Sequence, residues 1–274
     1  MINIMMNKIR TWSILNAGAF LVAFVVANLS QWGIMGLKNT MATVSAKYES
    51  VFTPAGITFA IWGIIYISLF GFCIYHIFQA YTQHADQRVN QDVKKIGWLF
   101  VINNLATTAW VFAWLSEYLF LSTVLIFIQL ISLLVIHIRL DLYNPRRALF
   151  GKIFSQFPLS IYFAWICIAT IANTSAYLVS IHWDGWGIEA HYWAIVMIGI
   201  AALLTLFMNF VRKNVAFSLV VLWALYGIIL KRHEAGTEAD QQVILAAWSA
   251  LTLIAISAGV QFLKNTTLSK PKLH

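Results

Sequence analysis

Eight uninterrupted apolar runs dominate this chain, at residues 14–35, 56–80, 97–115, 119–139, 155–181, 192–211, 214–230 and 243–263. A helix rises 1.5 Å per residue, so crossing the hydrocarbon core of a bilayer takes roughly 17–25 residues. Backbone in lipid has to satisfy its own hydrogen bonds, and runs of this length do so as helices, not as barrel strands. The expected fold class is all-α, a polytopic transmembrane helical bundle with eight spans. Composition agrees: 61% of the 274 residues are hydrophobic and 10% are charged, against about 25% charged in a soluble domain. Cys73 and Cys167 fall inside apolar runs and read as small hydrophobes.

The net charge of +8 is distributed as a topology signal, which excludes a nucleic-acid-binding reading. With the N-terminus inside, one side carries Lys8, Arg10, Arg88, Lys94, Lys95, Arg139, Arg146, Arg147, Lys152, Arg212, Lys213, Lys264, Lys270 and Lys272. The other side keeps only Lys38, Lys47, Lys231 and Arg232. This split follows the positive-inside rule through all eight spans and predicts cytoplasmic N- and C-termini in the inner (cell) membrane. Val44-Ser45-Ala46 has the form of a signal-peptidase site, but the run before it is too long for a signal-peptide core, so a retained first helix is expected. Ser116-Glu117-Tyr118 and Arg212-Lys213-Asn214 predict tight turns. The longer outer stretch 36–53 is placed to cap the bundle.

Apart from Arg139, the last residue of the fourth, no Asp, Glu, Lys or Arg lies inside the eight runs, which counts against a proton-coupled pump. Neither a phosphate-binding glycine loop nor a zinc-protease motif is present. The spans instead carry aromatic rings. Trp12, Trp32, Trp98, Trp183, Trp186 and Trp193 fit interfacial belts, whereas Trp62, Trp110, Trp165, Trp223 and Trp248 lie deeper in their spans. Phe59, Trp62 and Tyr66 are spaced i, i+3, i+7 along the second run. Pro54 is expected to open that helix, and Gly56 to let a neighbour approach closely. Thr107, Trp110 and Trp114 repeat the spacing in the third run. Tyr162, Trp165, Ala169 and Asn173 follow it down the fifth. Two readings stay open for these stripes: helix–helix packing, or a flat pocket for a planar apolar ligand.

The segment from Phe52-Thr53-Pro54-Ala55-Gly56 to Phe59, Trp62 and Tyr66 resembles the helix-2 signature of the TspO/MBR family. These are the tryptophan-rich sensory proteins related to the mitochondrial translocator (peripheral benzodiazepine receptor). Ile161-Tyr162-Phe163-Ala164-Trp165, with Ala169 and Asn173, is similar to the family's helix-5 motif. Thr53 stands for the first proline of the helix-2 pair, Ile161 for the helix-5 proline (Pro158 lies three places earlier), and Thr107 for a helix-3 asparagine. The resemblance covers about residues 14–180, and three further spans follow. It implies a five-helix portion over 1–183, with 184–274 added as three helices and a basic tail. It also implies a pocket among helices 1, 2, 3 and 5 that takes porphyrins, haem included, or sterol-like ligands. Some family members promote light-dependent porphyrin breakdown through two tryptophans, which match Trp62 and Trp165.

The candidate ligand-binding residues are Asn28, Phe59, Trp62, Tyr66, Thr107, Trp110, Tyr162, Trp165, Ala169 and Asn173. No catalytic residue, metal ligand or resident cofactor is assigned. His76 and His137 fall at one depth and suggest either interfacial histidines or an axial haem pair. His182, Asp184, Glu189 and His191 suggest either a solvated loop or a divalent-metal site. Asn16, Asn28, Asn103, Asn104, Gln129 and Asn209 are expected to hydrogen-bond between helices. The expected function is a sensory or regulatory membrane protein that binds a hydrophobic planar ligand; the alternative is a transporter of a neutral lipophilic solute. Its expected partners are that small molecule and membrane lipid, with a homodimer left open.

Overall fold

The computed structural model describes residues 2–33, 36–82 and 86–269, and every regular element among them is helical. These are α1 (Ile2–Gln31), α2 (Met41–Lys47), α3 (Ile61–Tyr81), α4 (Gln87–Ile96), α5 (Trp98–Leu115), α6 (Leu119–Leu140), α7 (Leu149–Gly151), α8 (Phe157–Ser180), α9 (Ala190–Phe210), α10 (Val215–Ala235) and α11 (Glu238–Ser269). A 3₁₀ turn, Gly56–Ala60, leads into α3, and a π-helical turn, Lys152–Gln156, joins α7 to α8. Eight helical segments are long and apolar enough to cross a membrane. Large apolar side chains such as Ile67, Phe120, Leu203 and Ile256 stand exposed along them. In a bilayer such side chains meet lipid tails as apolar as themselves.

The chain divides into two compact units. The first comprises residues 1–41, 62–142 and 148–163, and the second residues 42–61, 143–147 and 164–274. In the first, α5 packs against α6 and α1, and α4 lies against α1 and α6. The hairpin between α5 and α6 turns at Ser116-Glu117-Tyr118, as the sequence predicts. Glu117 takes a left-handed backbone with φ 62°, and Tyr118 N–H reaches back to Ala113 O at 2.8 Å. In the second unit α9, α10 and α11 pack on one another, and the 3₁₀ turn packs on α10. The expected turn at 212–214 is present there, with Asn214 accepting from Phe217 N–H at 3.3 Å to cap α10.

Several boundaries differ from the sequence expectation. The first helix begins at Ile2, and the end of the run at 34–35 lies outside the described residues. Two stretches read as connections are partly helical. Residues 41–47 form α2. The basic stretch after α3 contains α4, capped by Asp86, which accepts from Arg88 N–H at 2.9 Å. Helix α4 buries Val89, Val93 and Ile96 along one stripe, so its charges sit on an amphipathic helix. The seventh span is a full 21 residues, and the eighth begins at Glu238. As a result Arg232 and Asp240, which lie outside the apolar runs, fall within α10 and α11. The basic tail is helical to Ser269, and Lys270 and Lys272 lie outside the described residues.

Candidate functional site

The ten candidate residues fall in both units. Asn28, Trp62, Tyr66, Thr107, Trp110 and Tyr162 belong to the first; Phe59, Trp165, Ala169 and Asn173 belong to the second. In the first unit the Trp62 indole stacks on the Tyr66 ring, with centroids 5.3 Å apart and planes inclined by 25°. Both rings are half-buried. Tyr162, 2% exposed, meets the edge of Trp62 at 6.2 Å. Behind Tyr66, Phe24 packs edge-on at 5.3 Å.

A polar cluster fixes Tyr162. Thr107 Oγ1 lies 3.0 Å from the Tyr162 hydroxyl, 3.0 Å from Gln129 Oε1 and 2.9 Å from its own-helix carbonyl at Asn103. A threonine hydroxyl has one proton. With that proton given to Gln129 or Asn103, Tyr162 is left as the donor to Thr107. Asn103 Nδ2 donates in turn to Gln129 O at 3.1 Å and Ser132 Oγ at 3.0 Å. The expected interhelical hydrogen bonds of Asn103 and Gln129 are therefore present. Asn209 makes the same kind of link in the second unit, to Ser257 at 2.8 Å. Asn28 and Asn104 instead donate to carbonyls one turn back on their own helices, Phe24 O at 2.8 Å and Phe100 O at 2.7 Å. Trp110 is buried and stacks on Trp114 at 5.8 Å, planes 17° apart.

In the second unit Phe59 meets the Trp165 ring edge-on at 6.2 Å. Trp165 is buried, as is Asn173, and Ala169 is half-buried. Phe59 sits on the 3₁₀ turn, not on the α-helix. Pro54 accordingly precedes a 3₁₀ turn, and not the first turn of α3. Gly56, expected to admit a neighbour, faces open space, and the close backbone approach occurs at Gly227. Of the deep tryptophans, Trp223 is half-buried and donates to Thr58 O at 2.9 Å, whereas Trp248 is 44% exposed.

The histidines have separate partners. His76 Nε2 lies 2.9 Å from Ser155 Oγ on the π-helical turn, and His137 Nδ1 lies 3.0 Å from Leu133 O. His191 pairs with Glu189 at 3.3 Å. Among the described residues no group of three or more His, Cys, Asp or Glu side chains is arranged to hold a metal ion. The loop containing Asp184 and Glu189 is thus not a metal site of that kind.

Eight apolar helical spans, with polar side chains paired inside each unit, define an integral membrane protein of the polytopic helical class. The aromatic stripes on α3, α5 and α8 narrow this further. The chain belongs to the TSPO-like protein family, whose model matches residues 13–260. That match takes in α9, α10 and most of α11, beyond the reach of the two motifs. No curated protein and no solved structure matches the chain.

Proposed function

We propose that this TSPO-like protein binds a hydrophobic planar ligand, a tetrapyrrole first, on the aromatic surface of Trp62 and Tyr66. In this reading it has a sensory or regulatory role in the inner membrane, with both termini cytoplasmic. The observation that carries the proposal is the near-parallel Trp62–Tyr66 stack, 5.3 Å between centroids. Neither residue is fully buried. Stacked rings offer a macrocycle an extended π-face, and indole adds one N–H donor. Buried Tyr162, held through Thr107, keeps the surface in one orientation. Membership of the TSPO-like family supports the same reading. The five-helix portion, residues 1–183, carries every candidate residue, with 184–274 as an addition to it.

Titration of the detergent-solubilised protein with protoporphyrin IX, read by quenching of tryptophan fluorescence, tests this. The wild type should saturate, and Trp62→Leu should weaken binding about tenfold, or about 1.4 kcal/mol. Trp165→Phe keeps a ring against Phe59 and asks whether the second indole contributes. Equal affinity in the wild type and both variants would overturn the proposal.

A further inference from the structure

Within the second unit a cavity of about 740 Å³ opens between the segment Glu49–Phe52, the end of α8, the turn at 183–189 and the start of α9. This is the volume of a pocket for a drug-sized molecule. Three indoles converge on it. Trp183 lies 5.4 Å from Trp186 and 5.5 Å from Trp193, and Trp186 lies 5.8 Å from Trp193, with planes inclined by 83°, 52° and 67°. The lining also holds three carboxylates, Glu49, Asp184 and Glu189, and no Lys, Arg or His among the described residues. The rest of the wall is largely aliphatic.

We propose that this cavity binds a free organic cation carrying a fully alkylated ammonium group, held against the faces of Trp183, Trp186 and Trp193. An interfacial belt needs only separate tryptophans whose N–H groups reach the lipid headgroups. Here the Trp193 N–H is committed to Gly185 O at 3.0 Å. Trp186 is held at φ 56° and ψ 34°, a left-handed conformation that bulky residues avoid. Its backbone N–H donates to Asp184 Oδ1 at 2.9 Å, so a costly conformation is maintained by a specific bond. Indole faces attract cations through the ring quadrupole, and several faces around one site form the usual receptor for quaternary ammonium.

Charge and hydrogen bonding narrow the ligand. Glu49 is engaged by Lys231 and Arg232, Asp184 by the Trp186 N–H, and Glu189 by His191. Asp184 and Glu189 supply negative potential, the charge of Glu49 being offset by Lys231 and Arg232, while much of their accepting capacity is already used. That favours a cation without N–H donors. A phosphocholine headgroup would bring a phosphate beside Asp184 and Glu189, while Lys231 and Arg232 are already engaged by Glu49, so the occupant is the free cation and not a lipid.

The test is titration with benzyltrimethylammonium in a neutral maltoside detergent, followed by tryptophan fluorescence. Saturable binding is expected, weakened at least about tenfold in Trp186→Leu. Trp186 is 76% exposed, and an unchanged melting midpoint in that variant shows that it folds. Asp184→Asn retains an oxygen to accept the Trp186 N–H but removes the charge, and should weaken binding several-fold. Absence of saturation in the wild type, unchanged affinity in both variants, or equal competition by the neutral isostere neopentylbenzene would overturn the proposal. Competition by added phosphatidylcholine would overturn the assignment to a free cation. Neither the probe nor the residues are those of the planar-ligand test, so the two proposals fail separately.

Discussion

The backbone N–H of Ala55 donates to the carbonyl of Gly227 at 2.9 Å, fastening the approach to the 3₁₀ turn onto the middle of α10. The contact needs a glycine. A Cβ on residue 227 would overlap the Thr58 hydroxyl and stand 3.2 Å from Pro54 Cβ. Gly227→Ala should therefore cost about 1–3 kcal/mol, as overpacking does, seen as a lower melting midpoint in detergent. Thr58→Ala removes the nearest obstructing atom, so the double variant should lose less than the two single losses combined. Additive losses would show that the clash is relieved elsewhere.

Arg232 joins two carboxylates from different segments. Its Nη1 lies 3.2 Å from Asp240 Oδ1, and its Nη2 bonds Glu49. Asp240 also closes a capping box at the start of α11, accepting from the Thr237 hydroxyl at 2.6 Å and from its N–H at 3.1 Å. Arg232→Ala leaves the Asp240 carboxylate without its cation, at about 1.5–3 kcal/mol for charged hydrogen bonds near the helix ends. Asp240→Asn preserves part of the cap and should cost less than Asp240→Ala. The comparison of melting midpoints is decisive: equal losses for the two Asp240 variants would leave the cap no share in stability.

Thr107 and Tyr162 predict an asymmetry. Removing the tyrosine hydroxyl in Tyr162→Phe leaves Thr107 its bonds to Gln129 and Asn103. Replacing Thr107 with Val strands both the Tyr162 hydroxyl and Gln129 Oε1. Interhelical hydrogen bonds in membranes average about 0.6 kcal/mol and reach about 1.7. Tyr162→Phe should fall near the lower figure and Thr107→Val near the upper one. Reversed order in thermal unfolding would mean that Tyr162 is not the donor to Thr107.

The spans and both tight turns are legible in the sequence because a bilayer requires long apolar helices and the breaks at 116–118 and 212–214 are polar and short. Amphipathic α4 was hidden. Its buried Val89, Val93 and Ile96 are interleaved with charges that read as a loop marking the inner face. The true ends of α10 and α11 were hidden too, since hydropathy falls where Lys231, Arg232 and Asp240 begin. Those side chains pair and cap, and so continue the helices. The spacing of the aromatic stripes singles out Trp62, Tyr66 and Trp165, and it fits helix packing as well as a pocket. The 3₁₀ turn that holds Phe59 and the close contact at Gly227 are not visible in the sequence, because each depends on packing against α10, distant along the chain. Trp183, Trp186 and Trp193 read as belt residues one at a time, and it is the fold that brings them together on a cavity.

Sidedness gives a further prediction. From the charge distribution over eight spans, residues 38–50 and 236–238 are predicted outside and residues 86–95 and 212–214 inside. Cys73 and Cys167 are free thiols within α3 and α8, so alanine at both positions gives a background without thiols. In that background, Lys47→Cys and Glu238→Cys should react with a membrane-impermeant maleimide on intact cells. Arg88→Cys and Lys213→Cys should react only after permeabilisation. Labelling of Lys213→Cys on intact cells together with Lys47→Cys would place residues 47 and 213 on one side. The crossings between them would then be even in number, against the five that lie between those residues when each of the eight helices spans once.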